Sequence, residues 1–202
     1  MPHPPLPLAS PITHLLYLHG FRSSPQSAKA RLMAAHMAAE HPAVHWWCPQ
    51  LPPSPREAMA QVMAGIAGWS QDRMAVIGSS LGGFYAAWVA GQTGCRYALL
   101  NPAVNPARDL ARYIGEQQSW HAPDESFYFE PVFVDELQTL AAGPRPQPAF
   151  GYALIAKGDE VLDWREMAER HAGCQIKLLE GGDHALSDFA LHMTALLDFL
   201  GL

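Results

Sequence analysis

The sequence has little positive charge and no long apolar run. Its 202 residues include 13 Lys and Arg against 19 Asp and Glu, which gives a formal net charge of −6. A basic patch is the electrostatic footprint of nucleic-acid binding, so this balance argues against a nucleic-acid partner. No stretch reaches the roughly 18 apolar residues of a membrane span, and we expect none of the chain to cross a membrane.

Cysteine is also scarce, with only Cys48, Cys95 and Cys174. An odd number of widely spaced cysteines is typical of reduced thiols and predicts a cytoplasmic protein. His14 and His19 lie five residues apart, as do His36 and His41, but neither pair has a third potential ligand clustered with it. We therefore predict no metal and no other cofactor.

Residues 1–11 differ in composition from the rest of the chain. They contain five prolines and neither Lys nor Arg, so they lack the charged start and the apolar core of a secretory signal. We expect a loose, extended tail. The remaining residues, 12–202, are the right length for one domain.

Short apolar runs alternate with segments of helical periodicity along this domain. Such alternation requires crossover connections and predicts an α/β fold, with a mostly parallel sheet of about six strands and helices on both faces. The predicted strands cover residues 15–18, 44–48, 75–77, 97–100, 151–156 and 175–179. The predicted helices cover residues 24–39, 54–66 and 81–91, followed by a last helix whose apolar stripe contains Phe189, Leu196, Leu197 and Leu200.

Residues 102–148 interrupt the alternation with proline-rich ends and an aromatic middle. We interpret this segment as a cap insertion over the carboxyl edge of the sheet. Four of its aromatic residues are candidates to line a substrate pocket: Trp120, Phe127, Phe129 and Phe133. They could equally form a satellite core that anchors a long loop.

The third predicted strand ends in Gly78-Ser79-Ser80-Leu81-Gly82. G-x-S-x-G between a strand and a helix is the nucleophile elbow, in which a sharp turn presents the serine hydroxyl above the sheet. Glycine is required on both sides because a side chain would collide with the neighbouring backbone. Ser80 is therefore the candidate nucleophile, and a glycine-rich turn with a surface serine is the alternative.

A serine nucleophile needs a histidine base and a carboxylate that orients it, in the chain order serine, acid, histidine. His184 is in the right place, because it lies in a glycine-rich turn after the last predicted strand. Three carboxylates follow the fifth strand: Asp159, Glu160 and Asp163. We choose Asp159. Asp163 precedes a predicted helix and is expected to cap it, accepting from the amide of Glu166 while the Glu166 side chain reaches back.

An oxyanion hole requires two main-chain donors, one after the nucleophile and one from the loop after the first strand. Leu81 and Phe21 occupy these positions. We expect His19, just before that loop, to be a scaffold residue held by hydrogen bonds.

With these motifs in place, the chain resembles the YqiA-like esterases of the α/β-hydrolase superfamily. The matching stretches run in family order through residues 15–21, 23–25, 27–29, 49–53, 78–83, 101–104, 158–163, 180–182 and 184–185. The resemblance implies an α/β-hydrolase fold, a serine esterase and the triad Ser80, Asp159 and His184. The tail and residues 108–148 do not match the family pattern, so the resemblance does not specify the substrate.

We therefore expect a carboxylesterase that acts on short to medium acyl esters, with a small-molecule substrate as its partner. One alternative is an acyl-CoA thioesterase, for which Arg108, Arg112 and Arg145 are candidate phosphate contacts. The alternative of another class is a binding protein that keeps the hydrolase fold without turnover.

Overall fold

The computed structural model describes residues 10–120 and 126–202. Its centre is a six-stranded sheet in which every neighbouring pair is parallel, in the order β2-β1-β3-β4-β7-β8. The strands of this sheet are β1 His14–Leu18, β2 His45–Trp47, β3 Met74–Ser79, β4 Arg96–Leu100, β7 Gly151–Ala156 and β8 Gln175–Leu179. Two shorter strands form a separate antiparallel hairpin, β5 Gly115–Gln118 and β6 Ser126–Phe129. The predicted α/β class and six-stranded parallel sheet are confirmed.

Helices cover both faces of the sheet, as predicted. They are α1 Ala28–Glu40, α2 Pro55–Gly65, α3 Leu81–Thr93, α4 Pro106–Leu110, α5 Pro131–Ala141, α6 Trp164–Arg170 and α7 Met193–Leu200. Alternate side chains of each strand belong to different hydrophobic clusters, so that Leu15 and Tyr17 pack with α1 and α7, while Leu16 and Leu18 pack with α2 and α3. The sheet is thus buried on both sides, as its continuous apolar strands require.

Two helix starts show how local sequence sets the element boundaries. Ser54 caps α2 by accepting from the amide of Glu57, and Pro55 fills the first helical position, as the sequence predicts. The first helix was predicted from residue 24, but it begins at Ala28 because the chain first makes a turn from Ser24 to Ser27, and Ser27 is the cap.

The predicted cap segment, residues 102–148, contains α4, the β5–β6 hairpin and α5. It is joined to the sheet domain through Glu136 of α5, which is buried. The carboxylate of Glu136 accepts from the Ser54 hydroxyl at 2.7 Å and from the Arg56 amide at 3.1 Å. The cap helix is therefore fixed to the start of α2.

Within residues 10–120 and 126–202, no helix is both long and apolar enough to span a membrane. Of the predicted tail, residues 1–9 lie outside the described residues. Ser10 donates a hydrogen bond to Asp72 at 3.1 Å.

Candidate active site

Ser80 lies in a sharp turn between β3 and α3. Its backbone has φ 57° and ψ −121°, a conformation that residues with a side chain rarely adopt. The turn depends on its flanking glycines: a Cβ on Gly78 would lie 1.9 Å from the carbonyl oxygen of Gly82, and one on Gly82 would lie 2.0 Å from that of Leu18. No side chain can be accommodated at either position: the turn itself requires glycine at 78, and the close packing of the turn against the end of β1 requires glycine at 82.

A chain of hydrogen bonds joins Ser80 to His184 and Asp159. The Oγ of Ser80 lies 3.0 Å from Nε2 of His184, and Nδ1 of His184 lies 2.8 Å from Oδ2 of Asp159. The Asp159 side chain is fully buried, and its Oδ1 accepts from the amides of Val161 and Leu162, both at 2.8 Å. Because a carboxylate only accepts, we assign the proton to Nδ1, which leaves Nε2 free to accept from the serine hydroxyl.

The two other carboxylates after β7 have different contacts. Glu160 accepts a hydrogen bond at Oε2 from the amide of His184 at 3.0 Å, so it contacts the main chain of the histidine and not its ring. Asp163 caps α6, as predicted, but the predicted partner is wrong: it accepts from the amide of Arg165 at 2.9 Å.

The reciprocal contact predicted for Glu166 is also wrong. Glu166 instead forms two hydrogen bonds with the guanidinium of Arg108, at 2.9 and 2.7 Å. Two hydrogen bonds from a guanidinium hold a carboxylate more strongly than one main-chain amide does. The guanidinium of Arg108 also lowers the pKa of Glu166. Arg108 also contacts Asp109 at 2.7 Å, so its charge is already matched within the cap.

Two main-chain segments border the Ser80 hydroxyl. Leu81 is the first residue of α3, and its amide therefore has no partner in the preceding turn of the helix. Gly20 brings the loop after β1 close, since a Cβ at Gly20 would lie 3.2 Å from Cβ of Ser80. Phe21 follows directly and lines the same cleft as Ser80 and His184. Phe21 and Leu81, the residues predicted to form the oxyanion hole, thus line the same cleft as Ser80, and their role stays a prediction.

His19 holds this loop in place. Its Nε2 accepts from the amide of Leu51 at 3.1 Å, and its Nδ1 lies 3.0 Å from the carbonyl of Gly20. These contacts make Nδ1 the protonated nitrogen and leave the ring buried in the scaffold.

Three clefts meet around Ser80 and Phe21. The cap cleft, about 350 Å³, contains Ser80 and His184 and is walled by Ala103, Leu110, Tyr113 and Leu162. The α1 cleft, about 760 Å³, also contains Ser80 and His184 and is walled by Tyr17, Lys29, Leu32 and Phe189. The third, the glutamine cleft, about 570 Å³, is walled by Gln26, Gln50, Gln61 and Phe127 and reaches Phe21 and Leu81.

The four candidate pocket aromatics have different environments. Trp120 is 64% exposed, lies under the guanidinium of Arg22 at 4.3 Å and borders both the cap cleft and the α1 cleft. Phe127 lines the glutamine cleft. Phe129 and Phe133 line none of these three clefts: Phe129 is buried, with its ring centroid 5.3 Å from that of Phe21 and 5.4 Å from that of Phe133. Phe129 belongs to the hydrophobic core that covers the α2–α3 face of the sheet, and Phe133 packs against that core, so both have the environment of packing residues.

Sequence reasoning assigned no role to Asn101. This residue is fully buried at the end of β4, and its side chain contacts the main chain of both Asp183 and His184. One feature of the sequence could have indicated such a role: Asn101 directly follows a buried apolar strand, where a polar side chain requires hydrogen-bond partners.

The sheet order, the strand-turn-helix around Ser80 and the Ser80–His184–Asp159 contacts define the α/β-hydrolase fold. The chain matches the Uncharacterised protein family (UPF0227) over residues 14–201 and belongs to this family, which confirms the YqiA-like resemblance.

Solved structures show the same fold at low sequence identity. Alpha/beta hydrolase domain-containing protein 10 from mouse is 14% identical with a TM-score of 0.65, over 93% of this chain and 90% of that one. Est1E from Butyrivibrio proteoclasticus, solved with bound ferulic acid, is 13% identical with a TM-score of 0.66, over 96% and 89%. The Pyrococcus furiosus esterase Pf2001 is 14% identical with a TM-score of 0.61, over 94% and 81%.

Proposed function

We propose that this protein is a serine carboxylesterase that cleaves short to medium acyl esters. The observation that carries the proposal is the unbroken hydrogen-bond chain from Ser80 through His184 to the buried Asp159. It lies at the junction of two clefts, so an acyl chain and an alcohol could occupy opposite sides of the serine. The esterase among the similar structures supports the same chemistry.

In the proposed mechanism, His184 removes the proton of Ser80 as its Oγ attacks the acyl carbonyl. The amides of Phe21 and Leu81 donate to the oxyanion, and His184 then gives the proton to the departing alcohol. Water, activated by His184, releases the acid from the acyl-enzyme. Asp159 stabilises the protonated imidazole throughout.

Replacing Ser80 with alanine tests this proposal. We expect Ser80→Ala to lower kcat on acyl esters by about a thousandfold or more and to abolish labelling by a fluorophosphonate probe. The neighbouring Ser79→Ala is the control and should lose far less activity, because the hydroxyl that contacts Nε2 of His184 is that of Ser80. Undiminished labelling of Ser80→Ala would show that another residue is the nucleophile, and a wild type that neither turns over nor labels would favour a binding protein.

The same assays decide between ester and thioester substrates. Esters of increasing acyl length are compared with the matching acyl-CoA thioesters at equal concentration. The proposal predicts higher kcat/KM on the esters, because Arg108 is already paired with Asp109 and Glu166. A preference for the CoA thioesters would make the protein an acyl-CoA thioesterase with the same triad.

A further inference from the structure

Side chains from three other segments hold the main chain around His184. Residues 183–185 lie between β8 and α7, outside any strand or helix, so their peptide groups have no regular secondary-structure partners. Nδ2 of Asn101 donates to the carbonyls of Asp183 at 2.9 Å and of His184 at 3.3 Å. Glu160 accepts from the amide of His184 at 3.0 Å, and Nζ of Lys29 donates to the carbonyl of Ala185.

The conformation of this loop needs such support. Gly182 has φ 83° and Leu186 has φ 50°, and a leucine in this region is a genuine outlier. A backbone of this kind persists only when the surrounding contacts determine it. The loop also has internal hydrogen bonds, because the amide and the hydroxyl of Ser187 both donate to the carboxylate of Asp183.

Asn101 is well suited to its position. It is fully buried, with its Oδ1 accepting from the amide of Ala156 at 2.8 Å while both hydrogens of Nδ2 have carbonyl acceptors. These partners fix the orientation of the amide, because the reversed orientation would place an NH2 against an N–H and an oxygen against two carbonyls. Only a short side chain that both donates and accepts satisfies all three groups.

The same short segment reaches the other two members of the triad. The carbonyl of Leu100 accepts from the amide of Ser80 at 2.9 Å. Ala156, which Asn101 binds, accepts at its carbonyl from the amide of Asp159 at 3.2 Å. The end of β4 therefore connects the serine, histidine and aspartate segments.

We propose that Asn101 and Glu160 are positioning residues for His184, which act through the main chain of residues 183–184. The two contacts of the imidazole, at 3.0 and 2.8 Å, require its backbone to stay in place. A misplacement of about 1 Å can cost about a hundredfold in rate. The inference rests on the proposed function for its kinetic consequence, but the position of the ring can be measured without turnover.

Glu160 provides the first test, because it lies near the surface and its replacement does not open the core. We expect Glu160→Ala to lower kcat about tenfold, since the amide of His184 loses its acceptor and the histidine shifts. Glu160 also lines the α1 cleft, so KM is compared with that of Glu160→Gln, which keeps the size of the side chain. Glu160→Gln should keep nearly wild-type kcat, because its amide oxygen still accepts from the His184 amide. If Glu160→Gln falls as far as Glu160→Ala, the carboxylate acts through its charge and the inference is wrong.

Asn101 provides the second test. Asn101→Asp keeps the shape but replaces two donated hydrogen bonds with a carboxylate facing two carbonyls, and we expect kcat to fall about a hundredfold or more. Ser54→Ala is the matched control, since it removes a buried hydrogen bond to Glu136 that involves neither His184 nor its loop, and it should lower stability while keeping kcat. If Asn101→Asp does not fold, the comparison of Glu160→Ala with Glu160→Gln tests the inference instead.

Proton NMR supplies a readout that is independent of activity. The proton between Nδ1 of His184 and Asp159 should give a downfield resonance in the wild type, Glu160→Gln and Ser54→Ala. It should shift or broaden in Glu160→Ala and in folded Asn101→Asp. Wild-type kcat and an unchanged resonance in Glu160→Ala would overturn the inference. If the wild type shows neither turnover nor labelling, the proposed function is overturned. The NMR resonance then still tests whether Asn101 and Glu160 position His184.

Discussion

At the scale of single residues, the carboxylates after β7 give the clearest division of roles. Asp159→Asn should lower kcat by about ten thousandfold, because an amide at this position favours the wrong tautomer of His184. Asp163→Asn should be nearly silent, since asparagine caps a helix as well as aspartate does. Asp163→Ala should cost about 1 kcal/mol of stability with near-normal turnover. Ester hydrolysis and thermal unfolding of the purified variants check these expectations. An active Asp159→Asn with an inactive Asp163→Asn would reverse the assignment.

The sequence could predict the turn at Ser80 because the turn excludes side chains at its flanking positions: a Cβ at Gly78 would lie 1.9 Å from the carbonyl oxygen of Gly82, and one at Gly82 would lie 2.0 Å from that of Leu18. Asp159 and His184 could be predicted from the chain order serine, acid, histidine in loops after successive strands. The contacts of Asn101 and Glu160 with the His184 loop could not be predicted in this way. They join residues 24 to 83 positions apart, and no local pattern specifies such pairs.

At the scale of elements, two aromatic residues of the cap differ in role: Phe127 lines a cleft, and Phe129 is buried in the core. Phe127→Ala should change acyl-chain preference, lowering kcat/KM more on long esters than on the shortest, because Phe127 lines the glutamine cleft, which meets the two substrate clefts at Phe21 and would hold the far end of a long chain. Phe129→Ala should instead cost about 3–5 kcal/mol of stability, since its ring is buried against Phe21 and Phe133. A chain-length series with each variant, beside its thermal unfolding, measures both effects. Equal losses of Phe127→Ala on every chain length would contradict the cleft role.

The α-helices and strands that sequence analysis missed among the described residues lie in this cap. Outside the cap, the predicted last helix is too long: Phe189 lies in a separate 3-10 turn, and α7 begins at Met193. Strands β1, β3, β4 and β7 were predictable because each contains a continuous apolar run. The hairpin β5–β6 was not, because β5 contains no apolar side chain and each strand has only four residues, too few for a clear period-2 pattern. The helix α5 depends on contacts with α2 that its sequence does not reveal.

At the scale of the whole molecule, His171 predicts how stability changes with pH. Burial, with a smaller contribution from Arg170, lowers the pKa of His171 to about 4. In the unfolded chain the pKa is near 6.5, so the unfolded state takes up a proton first as the pH falls. Stability should be unaffected by this group above about pH 7 and should fall between pH 6.5 and 4, by roughly 3 kcal/mol at most.

Denaturant unfolding at several pH values measures this effect. His171→Gln should be less stable at neutral pH but should lose less stability between pH 6.5 and 4 than the wild type. Arg170→Gln removes the smaller of the two causes that lower the pKa of His171. It should therefore change the slope of stability against pH less than His171→Gln does. Identical slopes for the wild type and His171→Gln would mean that His171 is not the group responsible.

The positive φ of Ser80 implies a trade-off between activity and robustness. A residue held in a sparsely populated backbone region costs about 1–3 kcal/mol, which the rest of the fold must offset. Glycine adopts this conformation without strain, so Ser80→Gly should melt at a higher temperature than Ser80→Ala, although both are inactive. Calorimetry of the pair would measure the strain directly. Stability alone would therefore favour glycine at this position, and under the proposed function the strain of Ser80 is the cost of having a hydroxyl there.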